Sequence, residues 1–369
     1  MRRTPALILG GGPAGAAAAI SLARGGVRPL VLERSRETGD ALCGGFLSWR
    51  TLDTLERLGI AADVLNPEPV TRVRLFAGRS VAEAPLPRPA RGVSRRRLDT
   101  LLLARAQAEG AMVERGVAVR GFADGAAQLA DGAQVGGAAV LLATGKHDLR
   151  GLARPAEARG VDPTLGLRIR LSRSPTLDAL VGDTIELHLF DRGYAGLVRQ
   201  EDGSANLCMA VHRSRLTEAG GPEALLRALA GECPPLGDRL ASWSGEPIDA
   251  VANVPYGWRA RSTAPGLYRL GDQAGVIPSL AGEGMGIAIA SGVIAARALL
   301  AGTAAPAYQR GLAATLARPI GVAHAIWRLA ERPGSARALV ALARTVPWLV
   351  DPAARATRIP DRAVEDRRA

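Results

Sequence analysis

Apolar and polar positions follow two different rhythms along the chain. Ala6 to Leu9 and Arg28 to Leu32 contain short, unbroken apolar runs, the pattern of strands buried on both faces. Between them, Ala16 to Arg24 predicts a helix closed by Gly25-Gly26. The runs in Ala138 to Gly151 and Leu267 to Gly292 read as further buried strands, each ending in a glycine-containing turn. In the middle of the chain the rhythm changes to strict alternation. Leu165, Leu167, Ile169 and Leu171 fall on one face, with Arg168 and Arg170 opposite. "TIELHLF", "GYAGLVRQ" and "SANLCMAV" follow, joined by Asp-Arg-Gly and Glu-Asp-Gly-Ser turns, which predicts an antiparallel sheet. "GGPEALLRALAGE" is a short helix begun by Pro222. From Pro306 the pattern is helical, with breaks expected at Pro319, Pro333 and Pro347, and a frayed polar end from Asp351 to Ala369.

Composition narrows the function. Hydrophobic residues at 47% and charged residues at 22% describe a globular chain. The net charge of +12 would suit an acidic partner, but Lys146 is the single lysine among 47 cations and the arginines are scattered. With four tyrosines, four phenylalanines and no recognition motif, nucleic acid is excluded. Cys43, Cys208 and Cys233 form no C-x-x-C pair, and the four histidines are isolated, so neither a disulfide framework nor a metal site is expected. A reducing cytoplasm is the setting this implies. The apolar opening is broken at once by Gly10-Gly11-Gly12-Pro13, which argues against a secretory signal. No apolar run approaches the roughly 20 residues that span a bilayer. Contact of the terminal helices, such as "ARALVALARTVPWLV", with a membrane surface stays open.

Gly10, Gly12 and Gly15 have the spacing G-x-G-x-x-G between a strand and a helix, with Pro13 and Ala14 inside the loop. The first glycine makes the turn, the second admits a pyrophosphate to the backbone, and the third lets helix pack on strand. The helix start adds a partial positive charge for the phosphates. Glu33, with Arg34 beside it, ends the second strand where its carboxylate could accept hydrogen bonds from a ribose. Such a turn would also serve a dinucleotide fold without ligand.

A second stretch selects the dinucleotide. Gly271-Asp272, followed by Gly282, Gly284, Met285 and Gly286 at a helix start, resembles the second flavin fingerprint of the glutathione-reductase type of FAD fold. The resemblance implies that Asp272 holds the ribityl chain and that the turn lies beside the flavin ring. "VSRRRLDTLLLARAQAEGA" resembles the R-x-x-[FL]-D helix of flavin hydroxylases and geranylgeranyl reductases, which implies that Arg95 approaches FAD. Val117 to Val119 would then contact adenine, Val119 through its backbone. Thr144-Gly145 stands where many flavin hydroxylases carry an aspartate before the glycine. "LCGGFLSWRTLDTLERLG" looks like the C-G-G motif of the reductase branch, which implies Cys43 and Gly44 along the flavin's face. The chain is thereby similar to the FAD-dependent hydroxylase superfamily, in its geranylgeranyl reductase-like branch.

The fold class implied is α/β: a discontinuous Rossmann-like FAD-binding domain (1–70, 90–155 and 262–302), an antiparallel-sheet substrate domain (71–89 and 156–261), and C-terminal helices with a tail (303–369). Only one nucleotide fingerprint of the first kind exists, so reduction must come from transiently docked NAD(P)H or a separate electron donor, such as a partner reductase. The prenyl reductases' Y-x-W-x-F-P motif is here "GYAGLVR": Tyr194 is kept, Gly196 replaces tryptophan, and Val198-Arg199 replace Phe-Pro. Those aromatics would line a polyprenyl channel. Their loss favours hydroxylation of a hydrophobic, aromatic or polyketide-like small molecule through a flavin C4a-hydroperoxide. The alternative is saturation of a C=C bond in a prenyl-like lipid, with Cys43 or Tyr194 near the proton donor; a third reading is a non-catalytic flavin protein. Halogenation would need a tunnel lysine and a G-W-x-W-x-I-P motif, and the chain has Lys146 but no such motif.

Overall fold

The computed structural model describes residues 2–365; Met1 and the last four positions of the expected tail lie outside them. Strand Arg2–Leu9 is the centre of a seven-stranded sheet. It pairs in parallel with Leu30–Glu33 on one side and Gln134–Leu142 on the other, Leu7 opposing both Leu30 and Val140. Leu30–Glu33 continues the parallel order to Met112–Arg115. The far edge of Gln134–Leu142 is shared: its first half pairs antiparallel with Ala126–Leu129, its second half parallel with Leu267–Arg269. The polar start of the first strand is paired as well, so the strand begins at Arg2 rather than at the first apolar residue.

The glycine loop feeds helix Pro13–Arg24, whose alanines Ala16, Ala17, Ala18 and Ala19 are all fully buried. Ala14, Ala17 and Ala18 lie directly against helix Gly284–Leu300 at Gly292. A Cβ at Gly292 would stand 2.3 Å from the carbonyl oxygen of Ala14. Helix Arg95–Ala108 packs alongside, its first turn capped by Ser94 Oγ accepting from the Arg97 amide at 3.0 Å.

The second sheet has eight strands, ordered Asp249–Val254, Thr164–Leu171, Ala205–His212, Gly193–Arg199, Thr184–Phe190, Pro69–Ala77, Ser80–Gly92 and Phe46–Leu47. All neighbours are antiparallel except Thr184–Phe190 with Pro69–Ala77. Several strands cross the expected segment boundaries. Phe46–Leu47 and the start of Pro69–Ala77 come from within 1–70, and Ser80–Gly92 runs on past residue 90. The alternation in Thr164–Leu171 is real, but its polar face is not solvated: Arg168 donates to Asp40 Oδ2 at 2.8 Å, and Arg170 bonds the same carboxylate. Val119 opens strand Val119–Ala123 instead of closing one.

The two faces of Thr184–Phe190 differ in kind. Ile185, Leu187 and Leu189 point into a cavity, while Glu186 and His188 are fully buried on the other side. Glu186 receives Arg74 at 2.8 Å and Arg239 at 2.7 Å. Burial would push its carboxyl up, but bonds from His188 and Arg239 outweigh that and hold it down at about 2. Arg239 comes from helix Pro234–Leu240, so this ionic knot fixes the outer helices to the sheet.

Pro319 does not break its helix: Ala305–Ala330 is continuous, with Pro319 on the buried side. One missing N–H leaves one helical acceptor to other partners, and packing against the sheet carries the helix through. Pro333 and Pro347 do start new elements, helix Pro333–Thr345 and the short turn Pro347–Leu349. The tail is folded as far as residue 365. After helix Val350–Ala356, Arg358, Ile359 and Val364 are buried, Arg50 donates to the Ile359 carbonyl at 2.9 Å, and Arg297 donates to the Glu365 carbonyl at 3.0 Å. Arginine-rich sequence suggested fraying because each of these arginines looks solvated until its carbonyl or carboxylate partner is known.

Candidate functional site

Strands Arg2–Leu9, Gln134–Leu142 and Leu267–Arg269 run parallel, so their carboxyl ends deliver three loops to one edge of the sheet, where ligands of such folds bind. Two glycines there are dictated by backbone proximity. Gly10 has φ +108°, and a Cβ on it would stand 2.6 Å from the Ala143 carbonyl oxygen. A Cβ on Gly15 would stand 2.0 Å from the Gly10 carbonyl oxygen. Gly12 precedes helix Pro13–Arg24, whose first turn has no side-chain cap, so its leading amides face outward unshared. Helix Gly284–Leu300 likewise starts without a side-chain cap.

A cavity of about 460 Å³ begins between these two helix starts. Its wall includes Gly12, Pro13, Ala14, Cys43, Gly44, Arg95, Gly145, Gly271, Asp272, Gly282, Gly284 and Met285 of the residues predicted from sequence, with Tyr194 further along. Gly10, Gly15 and Gly286 stand behind the wall as backbone support; a Cβ at Gly286 would stand 2.4 Å from Glu283 Oε1. Glu33 Oε2 accepts from the Gly11 amide at 2.7 Å, holding the glycine loop, and Oε1 accepts from Ser35 at 2.8 Å. Arg34 is exposed and Val119 packs under the sheet, and neither belongs to the cavity wall. Thr144 spends its hydroxyl inside its own turn, donating to the His147 carbonyl at 2.7 Å.

The fit of FAD is tested by the glycines. A Cβ added at Gly44, Gly145 or Gly284 would meet no atom within 4 Å, while one at Gly12 would approach Arg95 Nη2 at 3.3 Å. Open space over three loops, two uncapped helix starts and an arginine at the first of them form a cradle for a long, anionic, flat-ended group. Asp272 sits in it with Lys146 Nζ 3.6 Å from its Oδ2, and that neighbour raises the lysine's pKa above its ordinary value. The residues present therefore fit FAD.

Several contributors carry no sequence signal of their own. Gln273 donates to the carbonyls of Gly145 and His147, at 2.9 and 3.0 Å, and Arg154 donates to those of Lys146 and Asp272, at 2.6 and 3.1 Å. Together they lock the 145 and 272 loops. Beyond Cys43 the cavity holds a small polar island: the hydroxyls of Tyr194 and Tyr256 both bond Ser279 Oγ. Burial pushes both phenols above the usual range and the nearby Cys208 thiol up to about 12, so all three keep their protons. Cys43 is held through its carbonyl, which accepts from Asn206 at 2.9 Å.

The remainder of the cavity is aliphatic: Leu75, Leu86, Ile185, Leu187, Leu339 and Val350 are typical of its wall. The four charged lining residues, Arg95, Lys146, Asp272 and Arg358, all stand at the glycine-rich loops, Arg358 by donating to the Ala281 carbonyl at 2.7 Å. The site is thus polar at one end and oily along its length.

Comparison with known proteins agrees with this geometry. Residues 3–137 match the FAD binding domain family. The menaquinone reductase of Mycolicibacterium smegmatis is 28% identical over 325 residues, covering 81% of this chain and 77% of that protein. In fold, the chain is similar to the flavin-dependent brominase Bmp2, with a TM-score of 0.73 at 16% identity over 96% of this chain and 93% of that one. It is also similar to a geranylgeranyl bacteriochlorophyll reductase-like protein from Thermoplasma acidophilum, with a TM-score of 0.67 at 22% identity over 99% and 95% of the two chains. Among the described residues, no helix is long and apolar enough to cross a membrane.

Proposed function

We propose that the chain, whose residues 3–137 match the FAD binding domain family, is an FAD-dependent oxidoreductase of the hydroxylase superfamily that saturates a carbon–carbon double bond in an elongated, prenyl-like lipid. The observation that carries this reading is the cavity, largely aliphatic along its length and charged only at its glycine-rich end. The missing Y-x-W-x-F-P aromatics favoured hydroxylation on the premise that a lipid channel needs them. Here leucines and isoleucines from the sheet and the C-terminal helices provide an oily wall without them. A relative named for menaquinone reduction supports the same substrate class.

Gly10, Gly12, Pro13, Ala14, Gly15, Glu33 and Arg95 would hold the nucleotide half of FAD, with Asp272, Gly145 and the Gly282–Gly286 turn at the flavin half. Bound and reduced, by NAD(P)H or by a separate donor, FAD supplies a hydride equivalent. The chain's own task is to hold the lipid, exclude water and deliver one proton to the adjacent carbon. Tyr194 would make that delivery: burial keeps its phenol protonated, and the hydroxyls of Ser279 and Tyr256 beside it would serve as a route for replacement. Cys43 and Gly44 would pack the lipid against the flavin's face.

Hydroxylation is the second reading, favoured by the likeness in fold to a probable FAD-dependent monooxygenase from Pseudomonas aeruginosa. Single turnover separates the two. Dithionite-reduced holoenzyme is mixed with a geranylgeranyl lipid or a menaquinone under strict exclusion of oxygen. Gain of two hydrogens is the expected result. Product formed only in air and carrying isotopic oxygen from the gas would establish hydroxylation instead.

A further inference from the structure

Between Gly302 and Val350 the chain carries six arginines and a single acidic residue, Glu331, which His212 already occupies at 2.9 Å. All six (Arg310, Arg318, Arg328, Arg332, Arg337 and Arg344) are exposed, and none has an ion-pair partner among the described residues. On helix Pro333–Thr345, Arg337, Ala338, Ala341 and Leu342 form the outward face, while Ala336, Val340 and Ala343 are buried beneath it. Leu342 is 49% exposed, and Trp348, just past the helix, is 70% exposed. These are not isolated surface residues. Leu342 also belongs to the cavity wall, as do Leu349 and Val350 next to Trp348. The oily cavity therefore reaches the surface beside an exposed leucine and tryptophan flanked by unpaired arginines.

We propose that this face, centred on Leu342 and Trp348 with Arg337 and Arg344 at its sides, docks on an anionic lipid bilayer and opens the cavity mouth into the membrane. A tryptophan with an apolar body and a polar N–H suits the boundary between headgroups and chains. Arginines without local carboxylates match a continuous negative surface. The position of the face explains how a water-insoluble chain would enter: it passes from bilayer to cavity without crossing solvent. That purpose rests on the lipid reading above, but the docking itself is measured without turnover.

The test uses holoenzyme and sedimenting vesicles, either of phosphatidylcholine alone or of an equal mixture with phosphatidylglycerol. Binding is expected on the mixed vesicles, weak on the neutral ones, and reduced by salt. Arg337→Gln with Arg344→Gln should lower partitioning roughly 30-fold, and Trp348→Ala should lower it several-fold. Each variant should keep its thermal unfolding temperature and its turnover of a detergent-dispersed substrate, since none of the three side chains lines the cavity. Failure of the wild type to bind mixed vesicles, or binding that survives all three substitutions, would overturn the proposal. So would light scattering showing a lipid-free dimer that Trp348→Ala dissociates, because the face would then belong to a second copy.

Discussion

The Arg358 guanidinium lies 3.1 Å from the Glu283 carboxylate, and the two side chains are 4% and 2% exposed. Arg358 also covers the Trp49 ring at 5.2 Å, and Ser48 Oγ donates to Glu283 at 3.0 Å. The end of the chain thus pins the G-E-G turn that starts helix Gly284–Leu300. Arg358→Ala should cost about 3 kcal/mol at mildly alkaline pH, because it strands a buried carboxylate. The loss should shrink at mildly acidic pH, where Glu283 takes up a proton instead. Denaturant unfolding at the two pH values checks this.

Burial raises the Glu283 carboxyl to about 7, against the pull of Arg358. The folded chain then holds a proton that the unfolded chain releases from the ordinary carboxylate range upward. Stability should therefore fall as pH rises from about 4.5 to about 7, the reverse of a normal ion-paired acid. Glu283→Gln should flatten that limb in pH-dependent melts.

His212 shows linkage of the same sign in a higher pH window. Its Nε2 faces Glu331 at 2.9 Å, its Nδ1 faces the Asp162 carbonyl at 3.0 Å, and its ring stacks on Trp327. The bond to Glu331 raises its pKa, so the protonated ring joins helix Ala305–Ala330 to the sheet. This contribution is complete below the unfolded value near 6.5 and disappears as pH rises through the higher folded value. Glu331→Gln should remove the alkaline loss seen in wild-type melting curves.

Asp272→Ala should yield protein with FAD affinity lowered at least about tenfold, equivalent to one or two hydrogen bonds to a charged group. Cys43→Ala should retain full flavin absorbance but alter turnover. A yellow, tightly loaded Asp272→Ala preparation, or unchanged kinetics in Cys43→Ala, would reassign the respective residue to packing.

Gly196 lines the cavity, and a Cβ on it would meet its nearest atom, the Cys208 carbonyl oxygen, at 3.7 Å. Gly196→Trp restores the aromatic residue of the prenyl-reductase motif and fills part of the cavity. We expect kcat/KM to fall at least tenfold for long substrates while short ones keep theirs, measured across a chain-length series.

Much of the cofactor end is legible in the sequence. Glycine spacing reports directly on backbone clearance, as at Gly10 and Gly15, and Gly271-Asp272 lines the same cavity as that loop, an arrangement implied by the resemblance to the second flavin fingerprint. What stayed hidden depends on pairing across the fold. Arg358 and Arg154 look like any exposed arginine until their carbonyl partners are placed. Ser279 is unremarkable until two tyrosines, 85 and 23 residues distant, converge on it. The aliphatic wall is equally silent, because its leucines come from three sheet strands and three helical pieces with no common motif.

Strand Gln134–Leu142 keeps half of its outer edge for Leu267–Arg269, a neighbour made after the entire eight-stranded sheet. During synthesis, the first glycine loop must therefore wait for most of the polypeptide before its opposite bank exists. A further fastening, Arg358, leaves the ribosome later still. Loss of the chain from that arginine onward would damage the oldest part of the molecule, not the youngest.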